Sequence, residues 1–176
     1  MEKSQIINLI NQAVTAGPSV WADLGSGEGA FTLALRELGG TNIQIFSIDK
    51  SSRSLRKQSE EFKKQFPQTK IEFIKSDFTK QLTLIPLDGI LMANSLHFIQ
   101  NKADFLSRIK NNLKPEGRIL IVEYDTDKGN FFVPYPLSFP NLSKLLTDSG
   151  FGNPQLLTTV PSRYQNGIYS ALATKQ

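Results

Sequence analysis

A doubly wound α/β sheet is the fold class that this sequence predicts, and three observations predict it. Apolar runs of strand length alternate with helical stretches along most of the chain. A glycine-rich turn, Gly25-Ser26-Gly27-Glu28-Gly29, stands between the first strand and the helix after it. Near the C-terminus two strands lie so close together, joined by Pro161-Ser162-Arg163, that they read as an antiparallel hairpin. At 176 residues the chain fits one domain, residues 1–176, long enough to bury a core without staples.

The elements follow in order. Ile6, Ile7, Leu9, Ile10, Ala13 and Val14 fall at helical spacing, and Gly17-Pro18 stops that run. Val20 to Leu24 is a strand. Phe31, Leu33, Ala34, Leu35 and Leu38 suit a helix that begins in the glycine turn and ends at Gly39-Gly40. Ile43 to Ile48 alternates as a strand closing on Asp49, and a charged helix runs from about Ser52 to Phe66 before Pro67. Ile71 to Ile74 and Leu87 to Ala93 are the next strands. A helix from Ala103 to Leu113 closes at the turn Lys114-Pro115-Glu116-Gly117, and Arg118 to Val122 is a fifth, buried strand. Beyond it lie a loop rich in aromatics and prolines, FFVPYPLSFP, and a helix from about Asn141 to Ser149 with Gly150 at its end. Gln155 to Val160 and Gly167 to Thr174 form the hairpin, which brings the sheet to seven strands. No internal repeat, low-complexity tract or linker argues for a second domain.

Composition narrows the chemistry. With no cysteine, a disulfide framework, a thiolate zinc site and a cysteine nucleophile are excluded. One histidine leaves only a carboxylate metal site, for which no clustered signature exists, so no metal is expected. The N-terminal segment lacks the apolar region and cleavage site of a signal peptide, and no stretch approaches a membrane span, so the chain reads as cytoplasmic with no membrane partner. The net charge of +4 draws on the stretch from Lys50 to Lys75, where basic residues mix with Glu60, Glu61 and Glu72. Such mixed signs fit a solvated helix face better than a nucleic-acid surface.

The glycine turn is the chief functional signal. A glycine-rich turn between strand and helix lets ligand atoms approach the backbone and presents free N–H groups. Gly25, Gly27 and Ala30 also satisfy the alanine variant of a dinucleotide fingerprint, with Asp49 placed for a ribose. Glu28 argues against that reading, because a loop carboxylate repels a pyrophosphate, whereas a sulfonium cofactor carries no phosphate. Asp23, at the end of the first strand, suits the ammonium of a methionine tail.

With these residues in place, the sequence resembles a class I S-adenosylmethionine-dependent methyltransferase. Asp23-Leu24-Gly25-Ser26-Gly27-Glu28-Gly29 is similar to that family's first motif, acidic-x-G-x-G-x-G. The resemblance implies a Rossmann-like sheet with a reversed seventh strand between the fifth and sixth, and S-adenosyl-L-methionine as cofactor. It implies that Asp49 holds both ribose hydroxyls, that the acidic chain of Ser76-Asp77-Phe78 meets the adenine amino group, and that Lys50 and Phe78 neighbour the ribose and the base. Leu91 to Phe98 resembles the fourth-strand motif, whose backbone near Asn94 faces the methionine moiety. Leu113-Lys114-Pro115-Glu116-Gly117-Arg118 resembles the family's Leu-Lys-Pro-Gly-Gly turn, with Glu116 replacing its first glycine.

The activity so implied is in-line methyl transfer to a small-molecule acceptor. The absence of an Asn-Pro-Pro-Tyr type motif after the fourth strand disfavours adenine and amide nitrogens. An RNA or protein acceptor, a non-catalytic cofactor-binding partner and a dinucleotide oxidoreductase are the competing readings. His97, the sole histidine, and Tyr124 are the candidate catalytic residues, His97 as general base and Tyr124 as substrate contact. Glu123 and Asp125 read as loop polarity. Phe132, Tyr135 and Phe139 divide between packing the connector and walling an acceptor pocket.

Overall fold

The computed structural model describes residues 1–162 and 167–176. The chain runs through α1 (Lys3–Ile10), β1 (Ser19–Leu24), α2 (Ala30–Gly39), β2 (Ile43–Asp49), α3 (Ser52–Gln65), β3 (Lys70–Lys75), β4 (Leu87–Ala93), α4 (Lys102–Ile109), β5 (Leu113–Tyr124), α5 (Phe139–Asp148), β6 (Phe151–Val160) and β7 (Ile168–Lys175). The sheet order is β3-β2-β1-β4-β5-β7-β6. The first five strands are mutually parallel, and β7 runs antiparallel between β5 and β6. This is the Rossmann-like sheet with a reversed seventh strand that the sequence predicts.

The strands pair as they do because both faces of the sheet are covered. On one face Trp21, Ile45, Leu91 and Leu120 pack against Ile6, Leu9 and Ile10 of α1 and Ala34 and Leu35 of α2. On the other, Ala22, Phe46, Met92 and Ile121 meet Phe105 and Leu106 of α4 and Leu142 and Leu146 of α5. Alternate residues of one strand therefore serve opposite layers, and the central strands read as near-continuous apolar runs.

Several boundaries differ from the sequence expectation, and four of the differences have a local reason. α1 stops at Ile10, yet Ala13 and Val14 are still buried, because the turn after the helix carries their apolar side chains into the same core. α4 ends at Ile109, and the tighter turn Lys110–Asn112 completes the segment expected to be helical. The Lys114–Gly117 turn is a bulge inside β5: Leu87 pairs with Leu113 and Gly89 with Arg118, while Glu116 takes a left-handed φ of 61°. β6 begins at Phe151 rather than Gln155, since Pro154 sits in a second bulge between Gly152 and Gln155, where its missing N–H does no harm.

Among the described residues no helix is long and apolar enough to cross a membrane. The parallel strands all end at one edge of the sheet, where ligands bind in open α/β folds.

Candidate functional site

The glycine turn is anchored from β2. Gly25 and Ser26 both donate their N–H to the carbonyl of Ile48, at 2.8 and 3.1 Å, and Gly27 N–H donates to Asp49 Oδ2 at 2.9 Å. The other oxygen of Asp49 accepts Ser51 N–H at 2.7 Å, so one carboxylate orders both the turn and the start of α3. Position 25 must be glycine: its φ is 81°, and an added Cβ would stand 2.7 Å from Ser95 Cβ and 3.0 Å from Phe78 Cε1. At Gly27, by contrast, a Cβ would meet nothing within 4 Å, so the turn is open above its middle. Glu28 points away into an exposed ion pair with Lys57 at 2.6 Å.

The remaining cofactor candidates cluster unevenly around this turn. Phe78 lies against Gly25 and stacks edge-on with Phe105 at 5.9 Å. Ser95 Oγ donates to the Leu24 carbonyl at 2.7 Å and fastens the β4 turn to the β1 turn. Asn94 takes a left-handed φ of 51°, and its side-chain Oδ1 is buried with no partner among the described residues. Asp77 is exposed, and the Thr79 hydroxyl and N–H that it accepts hold its carboxyl below the usual range. Lys50 is exposed beside it, close enough for its charge to act on Asp77.

Asp23 behaves differently from a ligand-facing carboxylate. It is 1% exposed and accepts the Thr32 hydroxyl at 2.6 Å, beneath the turn. Burial, opposed by that hydrogen bond and reinforced by the charge of Asp49, pushes its pKa up to about 7.

A second group assembles at the ends of β4 and β5. His97 Nδ1 lies 2.8 and 3.1 Å from the two carboxylate oxygens of Glu123, and the same carboxylate accepts the His97 backbone N–H at 3.1 Å. Both side chains are almost fully buried. An ionised carboxylate only accepts, so the geometry suits Nδ1 as the nitrogen that donates to Glu123. Tyr124, its ring 6.2 Å from that of His97, borders a cleft of about 840 Å³ together with Asn94, Ile168, Glu2 and Gln5. Glu2 and Gln5 bring the start of α1 to the cleft wall.

The sequence reading missed Glu123, expected only as loop polarity. The signal was available, because Ala93 and Val122 are register partners in adjacent parallel strands, so residues just beyond them share an edge. Of the two expectations for Phe139, packing holds: it stacks on Tyr169 at 6.0 Å and packs against the core. Asp125 does order the loop, accepting Phe139 N–H at 3.0 Å. Tyr135 donates its N–H to the His97 carbonyl at 3.0 Å and lays its ring 5.5 Å from Lys102 Nζ, while Phe132 is 79% exposed. Arg163, expected in the hairpin turn, lies outside the described residues. Among the described residues no group of three or more metal-ligating side chains gathers.

Comparison with known proteins adds independent findings. A family model described as a methyltransferase domain matches residues 20–151. A carboxy-S-adenosyl-L-methionine synthase from Shewanella amazonensis is 34% identical over 127 residues, covering 68% of this chain and 51% of that protein. The chain thus spans about half the length of the curated relative it matches. Among solved structures, a Burkholderia thailandensis 1,6-didemethyltoxoflavin-N1-methyltransferase, with bound 1,6-didemethyltoxoflavin and S-adenosylhomocysteine, superposes with a TM-score of 0.77 at 20% identity, over 99% of this chain and 78% of that one. A SAM-dependent methyltransferase from Aquifex aeolicus superposes with a TM-score of 0.71 at 19% identity over 100% of both chains.

Proposed function

The chain belongs to the methyltransferase-domain family, and on that premise we propose that it transfers the methyl group of S-adenosyl-L-methionine to a small-molecule nucleophile. One observation carries the reading: the glycine turn, Asp49 and the Asn94 turn converge at one strand edge, directly beside the buried His97–Glu123 pair. Cofactor residues and a base are thereby neighbours in space as well as in motif order.

The residues fit this cofactor. The open space over Gly27 admits a ligand against the backbone, and the orphaned Asn94 Oδ1 is an acceptor suited to an ammonium donor. Asp49 sits where two ribose hydroxyls can donate to it, with Lys50 beside it, and Phe78 and Asp77 frame the adenine. Gly25, Ser26, Gly27 and Gly29 shape the turn, and Asp23 supports it from below through Thr32. When bound, the cofactor supplies an electrophilic methyl group on a sulfonium; the protein supplies alignment and exclusion of water.

His97 is the residue that removes a proton from the acceptor. Glu123 holds Nδ1–H and so fixes the orientation of the ring, with Nε2 as the proton acceptor, and Tyr124, beside His97, lines the cleft that takes the acceptor. The acceptor is a small metabolite, because the cleft is of the size that takes such ligands.

Calorimetric titration with S-adenosylmethionine, S-adenosylhomocysteine and NAD, on the native protein and Asp49→Ala, tests the cofactor assignment. Saturable binding of the S-adenosyl ligands, weakened by the substitution and absent for NAD, is the expected result. Binding of NAD alone, or of none, overturns it. Mass analysis of the turnover product then separates methyl transfer, which yields S-adenosylhomocysteine, from conversion of the cofactor itself, the reading that the name of the Shewanella relative favours.

A further inference from the structure

The glycine turn rests on a buried polar relay for which the methyl-transfer scheme has no use. Ser26 Oγ lies 2.8 Å from Ser47 Oγ, and the Ser47 hydroxyl donates to Gln58 Oε1 at 2.7 Å. Ser47 on β2 and Gln58 on α3 are both wholly buried. The same glutamine lies under the far end of the turn. A Cβ built at Gly29 would stand 2.6 Å from Gln58 Cδ, with Cγ and Nε2 nearer still, and Gly29 itself has a φ of 89°. One side chain therefore reaches the turn twice, at Ser26 through Ser47 and at Gly29 directly.

Packing alone does not account for a glutamine here. Its Nε2 is buried and meets no acceptor among the described residues, and an unsatisfied buried donor is costly. A methionine or leucine would fill nearly the same space without that cost. What an apolar side chain cannot do is hold Ser47, and through it Ser26, at hydrogen-bonding distance.

We propose that Gln58 is a positioning residue for S-adenosyl ligands, fixing the Ser26–Gly29 turn in its ligand-binding shape through Ser47 on one side and Gly29 on the other. The proposal rests on the cofactor reading above. Its physical content is preorganisation: a turn already held in shape loses less conformational freedom when a ligand settles on its backbone.

The test is titration of S-adenosylhomocysteine into the native protein, Gln58→Met, Ser47→Ala and the double variant, with melting temperatures measured alongside. Gln58→Met keeps the volume and loses the hydrogen bonds; Ser47→Ala breaks the relay without disturbing Gly29, and carries the test if the first variant does not fold. Each single substitution is expected to weaken binding about five- to tenfold, the size of one hydrogen bond's net contribution. The double variant should bind no more weakly than the weaker single, since both break one relay, and the melting temperature of Gln58→Met should hold or rise. Native-like affinity in both single variants overturns the proposal, as do losses that simply multiply in the double variant. Failure of the native protein itself to bind S-adenosylhomocysteine is a different result: it removes the cofactor reading, and this proposal with it.

Discussion

The two ends of the strand edge are built on opposite plans. Around β1 and β2 the functional groups bond backbone nearby: Asp49 takes Gly27 and Ser51, and the Ile48 carbonyl takes Gly25 and Ser26. Around β4 and β5 the contacts join side chains from separate elements, His97 to Glu123 and Tyr135 to Lys102, and large rings stay in solvent, with Phe98 58% and Phe131 91% exposed. A site that grips a fixed ligand can be built on backbone donors. One that meets a variable ligand is built on side-chain pairs and exposed surface.

The sharpest way to divide the two plans is His97→Ala. It should lower turnover about 10²- to 10⁴-fold, the range of a positioned general base. Binding of S-adenosyl ligands should stay within twofold, because no hydrogen bond links the imidazole to the glycine turn. Glu123→Gln should give a smaller loss and a shifted pH profile, with His97 still present but wrongly held. Both are measured by steady-state kinetics with any acceptor that a product screen reveals, and parallel loss of cofactor affinity would merge the two regions into one.

Gly25→Ala attacks the other side. The added methyl meets Ser95 Cβ at 2.7 Å in a backbone conformation that alanine adopts reluctantly. S-adenosylhomocysteine affinity should fall by about two orders of magnitude, or roughly 3 kcal/mol on the scale of 1.4 kcal/mol per decade. The same substitution at Gly27, where a Cβ meets no protein atom but enters the space proposed for the ligand at a φ of 56°, should weaken binding in calorimetry while costing less melting temperature than Gly25→Ala, and native-like affinity would show that no ligand lies against that position.

This division also explains how much the sequence could tell. The sheet, its reversed strand and the turn at Gly25–Gly29 were legible because strand periodicity, glycine spacing and an acid at a strand end are all local patterns. The displaced starts of β5 and β6 were hidden, since a bulge at Glu116 or Pro154 looks like an ordinary turn until the neighbouring strand supplies the register. Glu123 and Gln58 were hidden for a related reason: each acquires its role from a partner on another element, 26 and 11 residues away. Asp23 was found, but its burial against Thr32 was not, because a strand-end carboxylate has the same pattern whether it faces ligand or helix.

That burial gives the next prediction. Burial lifts the carboxyl of Asp23 in the fold to about 7, well above the ordinary aspartate value of about 4. The sign follows: the neutral carboxyl favours the fold fully below pH about 4, and this contribution is lost as pH rises through about 7. Native protein should therefore lose melting temperature between pH 5 and pH 8 relative to Asp23→Asn, by about 2–4 °C for each kcal/mol involved. Parallel curves for the two proteins in a thermal denaturation series would mean that Asp23 is already ionised in the fold.

The smallest effect belongs to the outermost residues. Phe131 and Phe132 stack edge-on at 5.4 Å, and Asn130 Oδ1 accepts the N–H groups of Phe132 and Val133, so the loop tip is held by its own turn. Replacing both phenylalanines with serine removes little buried surface, and stability should move by no more than about 0.5 kcal/mol. S-adenosyl affinity should not change at all. If the rings close over the acceptor, however, its KM should rise severalfold while kcat holds, since the lost contact would serve binding and not proton transfer. An unchanged KM would confine acceptor recognition to the cleft beside Tyr124, and the contrast between the two plans would then rest on the His97–Glu123 pair alone.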